Sequence, residues 1–191
     1  IYSFKMEDIA VSTACDRAKY ACDTLKNIFY SDYVYYSKEF ELEEVKRRYI
    51  LYNLDRAIAQ NWIQVHYQPI IREVSGMVCS EEALARWKDP DYGFLSPADF
   101  IPYLEDAGLI YKLDLCVLDK VLEKMNIQKA SGLDVVPHSI NPSRSDFDAC
   151  DIVEEIRKKV DGAYVDRDMI IIEITESIIS NEHDFMKEQI L

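Results

Sequence analysis

Residues 62–68 alternate between polar and apolar side chains, which is the pattern of a half-buried β-strand. The odd-numbered positions from Ile63 to Tyr67 are apolar, whereas the even-numbered positions from Gln64 to Gln68 are polar. His66 lies on the polar face, where a lone histidine is more often a hydrogen-bonded bystander than a ligand, so we leave it out of the predicted site. The strand therefore turns one face to a core and the other to solvent or a ligand.

A second strand is predicted for residues 80–87, between Gly76 and the turn at residues 88–93. Because strand side chains point alternately to opposite faces, Glu82 and Arg86 share one face. Two steps of two residues place their Cα atoms roughly 13 Å apart. At this separation the carboxylate could bind a metal ion while the guanidinium binds a phosphate of the same substrate. The alternative is an ordinary surface strand whose charged face forms ion pairs.

Helical periodicity predicts long helices at residues 9–26, 39–60 and 109–129, and a shorter one at residues 151–160. A last helix is predicted to start near Glu182. The helix at residues 39–60 is expected to bury a one-sided apolar stripe made of Leu42, Val45, Tyr49, Tyr52, Leu54 and Ala57.

Another helix is predicted to begin at Pro97, with Ser96 as its N-cap, because serine followed by proline is a favourable helix start. Pro102 has no backbone N–H, so we expect it to interrupt this helix. Gly108 is expected to mark the break before the long helix that follows.

Short strands are predicted at residues 32–36 and within residues 133–143. Residues 169–175 form a nearly continuous apolar run, which is typical of a strand buried on both faces of a parallel sheet. Within such a run the carboxylate of Glu173 would be costly unless it is paired or bound to a metal. The alternation of strands and helices indicates an α/β fold.

The composition narrows the classes of function. A net charge of −13 argues against binding of DNA or RNA polymers, because no basic stripe is present to displace counterions. Five widely spaced cysteines without a CxxC pair favour a reducing, cytoplasmic location. No apolar run approaches the ~20 residues that span a bilayer, so we expect no membrane contact from this segment. The chain starts without methionine, and we expect a longer parent protein that could carry a membrane or sensor domain.

Several segments, in their order and spacing, resemble the first half of an EAL domain, the family of cyclic-di-GMP phosphodiesterases. They are YQPI (67–70), SEEALARW (80–87), LSPADFIP (95–102), EDAGLI (105–110), SINPS (139–143) and EITE (173–176). The resemblance covers residues 44–191. It implies the first half of a TIM-like (β/α)8 barrel, and it makes cyclic-di-GMP the expected ligand.

The start of the chain is similar to the end of a GGDEF domain, which commonly precedes an EAL domain in one polypeptide. The similarity consists of a helix that carries residues 16–21 and a tyrosine-rich strand after it. The chain is then divided into a GGDEF-like tail at residues 1–38, a linker helix at 39–61 and the first half of the EAL barrel at 62–191. The alternative is an N-terminal helix that packs on the next domain.

Three oxygen-bearing side chains, those of Glu82, Asn141 and Glu173, lie on or near the ends of successive predicted strands, where barrel enzymes carry their active sites. Two carboxylates and an amide oxygen form a hard ligand set that suits Mg²⁺ or Mn²⁺. The resemblance implies that these three residues are catalytic metal ligands. It also implies that Arg86 contacts ligand phosphate and that Gln68 lies near the ligand. For Asn141 the alternative is a turn residue before proline.

The resemblance implies hydrolysis of cyclic-di-GMP to linear pGpG. The family also needs a paired-aspartate motif, a lysine and a further glutamate, and this chain ends at Leu191 before any of them. We therefore expect these residues alone to be inactive, and whether the parent protein is an active enzyme stays open. One alternative is a non-catalytic cyclic-di-GMP receptor or protein-interaction module. Another is an unrelated divalent-metal barrel enzyme. A pure receptor has no need of three metal ligands, which favours the phosphodiesterase.

Four barrel strands without their closing partners leave the apolar strand at residues 170–175 with an open edge. Apolar edges of this kind recruit another chain. We therefore expect these residues, produced alone, to form a homodimer or to self-associate.

Overall fold

The computed structural model describes residues 10–25 and 36–174. The chain divides into two compact units, Ile1–Tyr49 and Ile50–Leu191. The strand predicted at residues 32–36, apart from its last residue, and the helix predicted near Glu182 lie outside the described residues. Within the described ranges, none of the helices has the length and apolar character needed to cross a membrane.

The first two predicted helices are present as α1, Val11–Leu25, and α2, Lys38–Ala59. The stripe predicted for α2 is only partly correct: Leu42 and Val45 are exposed, and so is Tyr52. Its buried positions Ile50, Leu54 and Ala57 follow the helical repeat of three and four residues. The prediction failed at Leu42 and Val45 because only the part of α2 from Ile50 onward contributes to the core of the second unit. It failed at Tyr52 because this position lies on the opposite side of the helix from Ile50 and Leu54.

The described residues of the second unit form a mixed sheet of five strands. The strands are β1, Ile63–Ile71; β2, Val78–Asp89; β3, Gly93–Leu95; β4, His138–Ile140; and β5, Ile170–Ile172. The order is β1-β2-β4-β5, and the short β3, which the sequence did not predict, pairs with β2. β2, β4 and β5 run parallel, whereas β1 is antiparallel to β2. The sheet is thus barrel-like in its parallel part, and the β1–β2 hairpin departs from the all-parallel TIM pattern.

The helices of this unit are α3, Pro97–Asp106; α4, Ile110–Ala130; α5, Arg144–Ala149; and α6, Ile152–Gly162. A single 3₁₀ turn, Arg167–Met169, precedes β5. The short α5 was not predicted. One core joins Trp87 of β2 to Phe100 of α3, and the centroids of their rings lie 5.7 Å apart. A second core packs α4 and α6 against Ala83 of β2 and Ile140 of β4, so the helices cover one face of the sheet.

The prediction that Pro102 interrupts α3 is wrong, because the helix runs through it from Pro97 to Asp106. Phe100 and Leu104, four residues apart, are both fully buried on one side of the helix. Burying two such side chains stabilises the helix by about 3–6 kcal/mol. This offsets the ~3 kcal/mol that proline costs in a helix interior. In α3 the burial of these two side chains therefore outweighs the low helix propensity of proline.

Candidate functional site

Gln68 of β1 lies directly opposite Glu82 of β2, and Gln64 lies opposite Arg86. Side chains that face each other in an antiparallel pair point to the same side, with Cβ atoms about 4.5–5.5 Å apart. The polar face predicted for the first strand and the charged face predicted for the second therefore form one surface. Both predicted faces are confirmed, since Ile63, Ala83 and Trp87 on the opposite side are buried.

Glu82 is the fifth of the twelve residues of β2, so the prediction that it lies near a strand end is wrong. The parallel pairing with β4 stops at Glu82 and Ser139. Beyond that point β2 continues because β1 and then β3 supply its hydrogen-bonding partners. Glu82 therefore lies at the end of the parallel segment, although not at the end of its strand.

Asn141 follows β4 directly, and its Nδ2 donates a hydrogen bond to Glu82 Oε1 at 2.8 Å. The strand register explains this contact. Ser139 is the β4 partner of Glu82 and shares its face, and Asn141, two residues further on, points to the same side. The structure thus brings together two of the three predicted metal ligands.

Glu173 follows β5, and its backbone N–H donates to the Ile140 carbonyl oxygen at 2.9 Å. This bond extends the β4–β5 ladder by one residue. Glu173 therefore continues the face of Ile171, whose β4 partner is Ser139. The side chain of Glu173 is exposed, so the expectation that burial forces it to find a partner does not hold. We call the surface that carries Gln68, Glu82, Arg86, Asn141 and Glu173 the site face.

Arg86 is half-buried, and its Nη1 donates to the carbonyl oxygen of the adjacent Ala85 at 2.7 Å. No ion pair to Arg86 occurs within residues 10–25 and 36–174. The neighbouring Trp87 is fully buried on the opposite side of the sheet and fixes the strand beneath it. The guanidinium therefore carries a positive charge on the site face with no ion-pair partner among the described residues, and such a group can bind an anion.

The donors on the site face fit a hard divalent cation. They are the carboxylates of Glu82 and Glu173 and the amide of Asn141, with no sulfur or imidazole donor among the three. The described residues contain no group of three or more His, Cys, Asp or Glu side chains that could hold a metal. The two described carboxylates therefore make only part of a full ligand set. Binding through Asn141 also requires its amide to turn, so that Oδ1 rather than Nδ2 faces the cation.

The loop between β4 and α5 is anchored by three carboxyl groups that the sequence analysis missed. The Ser143 N–H donates to Asp146 Oδ2 at 2.9 Å and to Asp114 Oδ2 at 3.2 Å. The Ser143 hydroxyl donates to Glu105 Oε1 at 2.7 Å. The sequence does contain a pattern that predicts part of this anchor. Serine followed three positions later by an acidic residue is a helix-capping pattern, as at Ser96.

A second missed cluster lies on the opposite side of β2 from Glu82. The Lys124 ammonium pairs with the carboxylate of Glu81, and it lies 3.7 Å from the centroid of the Tyr67 ring. His138 Nε2 lies 2.9 Å from Glu81 Oε2. Burial, together with the Lys124 charge, lowers the pKa of His138, whereas burial raises the pKa of Tyr67 to about 12. The cluster joins β1, β2, β4 and α4 one residue away from Glu82.

Comparisons with known proteins identify the family to which these residues belong. The family model for the EAL domain matches residues 52–190. The chain is 26% identical over 152 residues to the bifunctional diguanylate cyclase/cyclic di-GMP phosphodiesterase MucR of Pseudomonas aeruginosa, covering 80% of this chain and 22% of that protein. It is 33% identical over 143 residues to the probable cyclic di-GMP phosphodiesterase PdeG of Escherichia coli, covering 74% of this chain and 26% of that protein.

Among solved structures, the chain resembles the PaMucR phosphodiesterase in complex with c-di-GMP, with a TM-score of 0.67 and 27% identity. The match covers 74% of this chain and 57% of that one. The chain thus spans about a quarter of the length of these two curated relatives and just over half of the solved domain. Since the family model covers well over half of its residues, the chain belongs to the EAL domain family.

Proposed function

We propose that this chain supplies the first part of the active site of a cyclic-di-GMP phosphodiesterase, which opens the cyclic dinucleotide to linear pGpG. The observation that carries the proposal is the convergence of Gln68, Glu82 and Asn141 on one face, with Asn141 hydrogen-bonded to Glu82. Glu173 continues the same face from β5. The names of the MucR and PdeG relatives support the same reaction.

In this proposal some residues of the site face bind the metal ion and others bind the phosphate of the ligand. Glu82, Asn141 and Glu173 would hold Mg²⁺ or Mn²⁺, which polarises phosphoryl oxygens and lowers the pKa of a bound water. Arg86 would place its planar fork against a phosphate oxygen, a geometry that lysine cannot reproduce. Gln68, opposite Glu82, offers both a donor and an acceptor to the ligand.

The test is hydrolysis by the protein as it is made in its natural polypeptide, with any sequence that flanks these residues included. Cyclic-di-GMP would be incubated with Mg²⁺ or Mn²⁺, and products would be separated by chromatography. We expect pGpG to appear with either metal and to disappear when a chelator is added. Tight binding of cyclic-di-GMP without formation of pGpG would contradict the proposal that the protein is a hydrolase.

That second outcome would support a non-catalytic cyclic-di-GMP receptor instead. One observation favours this alternative: Asn141 Nδ2 donates to Glu82 Oε1, an arrangement that holds these two side chains together without a metal ion. The hydrolysis assay separates the two functions directly.

We further propose that residues 1–38 are the tail of a GGDEF-like domain, joined by a linker helix at residues 39–61, and that the protein works in the cytoplasm. The boundary between the two units, at Tyr49 and Ile50, lies just before residue 52, where the EAL model begins. The MucR relative is named for both a diguanylate cyclase and a phosphodiesterase. All five cysteines are free, which supports a reducing compartment.

Residues 1–191 produced alone are expected to self-associate. Within the described residues β5 pairs only with β4, and its other edge has no partner strand. Ile171 is 41% exposed at this edge, and unprotected apolar edges recruit other chains. Light scattering should therefore report a dimer or larger species. A monodisperse monomer that melts cooperatively would contradict the prediction.

A further inference from the structure

The carboxyl groups of Asp114 on α4 and Asp146 on α5 meet beneath the loop that follows Asn141. They share one protein donor, the backbone N–H of Ser143, which reaches Oδ2 of both residues. Asp146 is fully buried, and its Oδ1 has no hydrogen-bond partner. Two ionised carboxylates in contact would therefore leave a buried acceptor unsatisfied and place two like charges side by side.

No cation relieves this contact. Within the described residues neither aspartate forms an ion pair with lysine, arginine or histidine. The charged groups that face the pair are the two carboxyls themselves and Glu105 of α3, whose own carboxylate accepts from the Ser143 hydroxyl. Burying unpaired carboxylates costs far more than burying one carboxylate and one neutral acid.

We propose that Asp114 and Asp146 share one proton, so that the Asp114 carboxylic acid donates a hydrogen bond to Asp146 Oδ1. This carboxyl pair is a positioning device: it fixes Ser143 against α4 and thereby holds Asn141 in reach of Glu82. It touches neither metal nor substrate. The positioning role rests on the proposed metal-binding function of Asn141, whereas the shared proton does not.

The electrostatics of the two residues are consistent with this assignment. Burial raises the pKa of Asp114 well above its usual range, and the hydrogen bond to Asp146 and its charge raise it further. Burial also raises the pKa of Asp146, but there the hydrogen bond to Asp114 lowers it. The geometry supplies the direction of the hydrogen bond: Asp146 is fully buried, its Oδ1 has no other hydrogen-bond partner, and a protonated Asp114 supplies the missing donor.

The link to Asn141 runs through two backbone anchors. On one side, the Glu173 N–H binds the Ile140 carbonyl oxygen at 2.9 Å. On the other side, the carboxyl pair binds the Ser143 N–H, and only the buried Pro142 separates Ser143 from Asn141. Proline fixes its own backbone φ angle, so displacement of Ser143 is transmitted to Asn141.

The shared proton can be tested without any ligand. The protein in its natural polypeptide, labelled with ¹³C at aspartate Cγ, would be titrated by NMR and compared with Asp114→Asn to identify the Asp114 signal. We expect that signal to titrate well above the pH at which an ordinary aspartate does. Asp148→Asn, the same change at an exposed position of α5, should leave it unmoved. Titration of Asp114 near its ordinary pKa of about 4 would overturn the proposal.

Stability gives the same test a second readout. Because the pKa of Asp114 is higher in the folded than in the unfolded chain, the stabilisation that it provides is complete below pH about 4. It is lost as pH rises towards the folded-state pKa. The Tm of the parent should therefore fall relative to that of Asp114→Asn as the pH rises above about 4. Parallel Tm curves for the two proteins would contradict the shared proton.

The positioning role is tested by Mn²⁺ affinity. Asparagine at position 114 can replace the protonated acid, since its amide donates to Asp146 and its oxygen accepts from Ser143. Asp114→Asn should therefore bind Mn²⁺ like the parent, whereas Asp114→Leu should bind about 10–100-fold more weakly, as when an outer support of a metal ligand is lost. Equal Mn²⁺ affinity of the parent and both variants would contradict the positioning role of the carboxyl pair. If the parent itself binds no Mn²⁺, the proposed metal site is wrong and so is the positioning role. The NMR titration then still tests whether the two aspartates share a proton.

Discussion

Replacing Glu82 by alanine is expected to lower Mg²⁺- or Mn²⁺-dependent hydrolysis of cyclic-di-GMP by more than about a hundredfold, and Glu173→Ala should do the same. Residues that merely support a metal ligand cost 10–100-fold when they are lost, and a direct ligand should cost more. A hundredfold loss corresponds to about 2.7 kcal/mol of activation free energy. Both changes should leave the fold intact, because Glu173 is exposed and Glu82 is only half-buried.

The control for this prediction is Glu73→Ala. Glu73 is an exposed carboxylate between β1 and β2, outside the site face, so its loss should leave both turnover and metal dependence unchanged. Initial rates at saturating metal, with circular dichroism to confirm folding, provide the measurement. If Glu82→Ala or Glu173→Ala kept the rate of the parent, that residue would not be a metal ligand.

The second large effect is expected at Arg86. Its replacement by alanine should weaken cyclic-di-GMP binding about 10–100-fold, since a hydrogen bond to a charged group contributes roughly 1.5–3 kcal/mol. Arg86→Lys should recover only part of the loss, because a point charge cannot make the bidentate contact. Calorimetry in Ca²⁺, where the family resemblance implies binding without turnover, provides the measurement.

Arg72→Ala offers a matched control, because Arg72 is an exposed arginine beyond the end of β1. It removes the same charge at a distance from the site face, so any general electrostatic effect on this acidic protein appears in both variants. Affinity that stays unchanged in Arg86→Ala, or falls equally in Arg72→Ala, would assign Arg86 a structural role.

The parts of the fold that follow from side-chain alternation were predictable. The polar positions ending at Gln68 and the charged positions at Glu82 and Arg86 define faces of two strands through their spacing alone. Hairpin pairing then places Gln68 opposite Glu82. What the sequence does not show is the end of β2 at Lys88 and Asp89, which were expected in a turn, since these residues pair with β3, three residues that carry almost no periodic signal.

Other features depend on packing between distant segments. The helix through Pro102 is held by the burial of Phe100 and Leu104, which only the assembled core supplies. The contact between Asp114 and Asp146 joins residues 32 positions apart on two helices, one of which is only six residues long. Local propensity cannot predict such contacts, because they are set by how α4 and α5 meet.

The proposed metal site can be seen directly in a crystal structure of the protein in its natural polypeptide, grown with Mn²⁺ and cyclic-di-GMP and measured at the manganese absorption edge. We expect an anomalous peak about 2–2.3 Å from carboxylate oxygens of Glu82 and Glu173 and from Asn141 Oδ1. A phosphate of the ligand should lie against Arg86. A manganese ion bound elsewhere, with Asn141 Nδ2 still donating to Glu82, would contradict the proposed metal site.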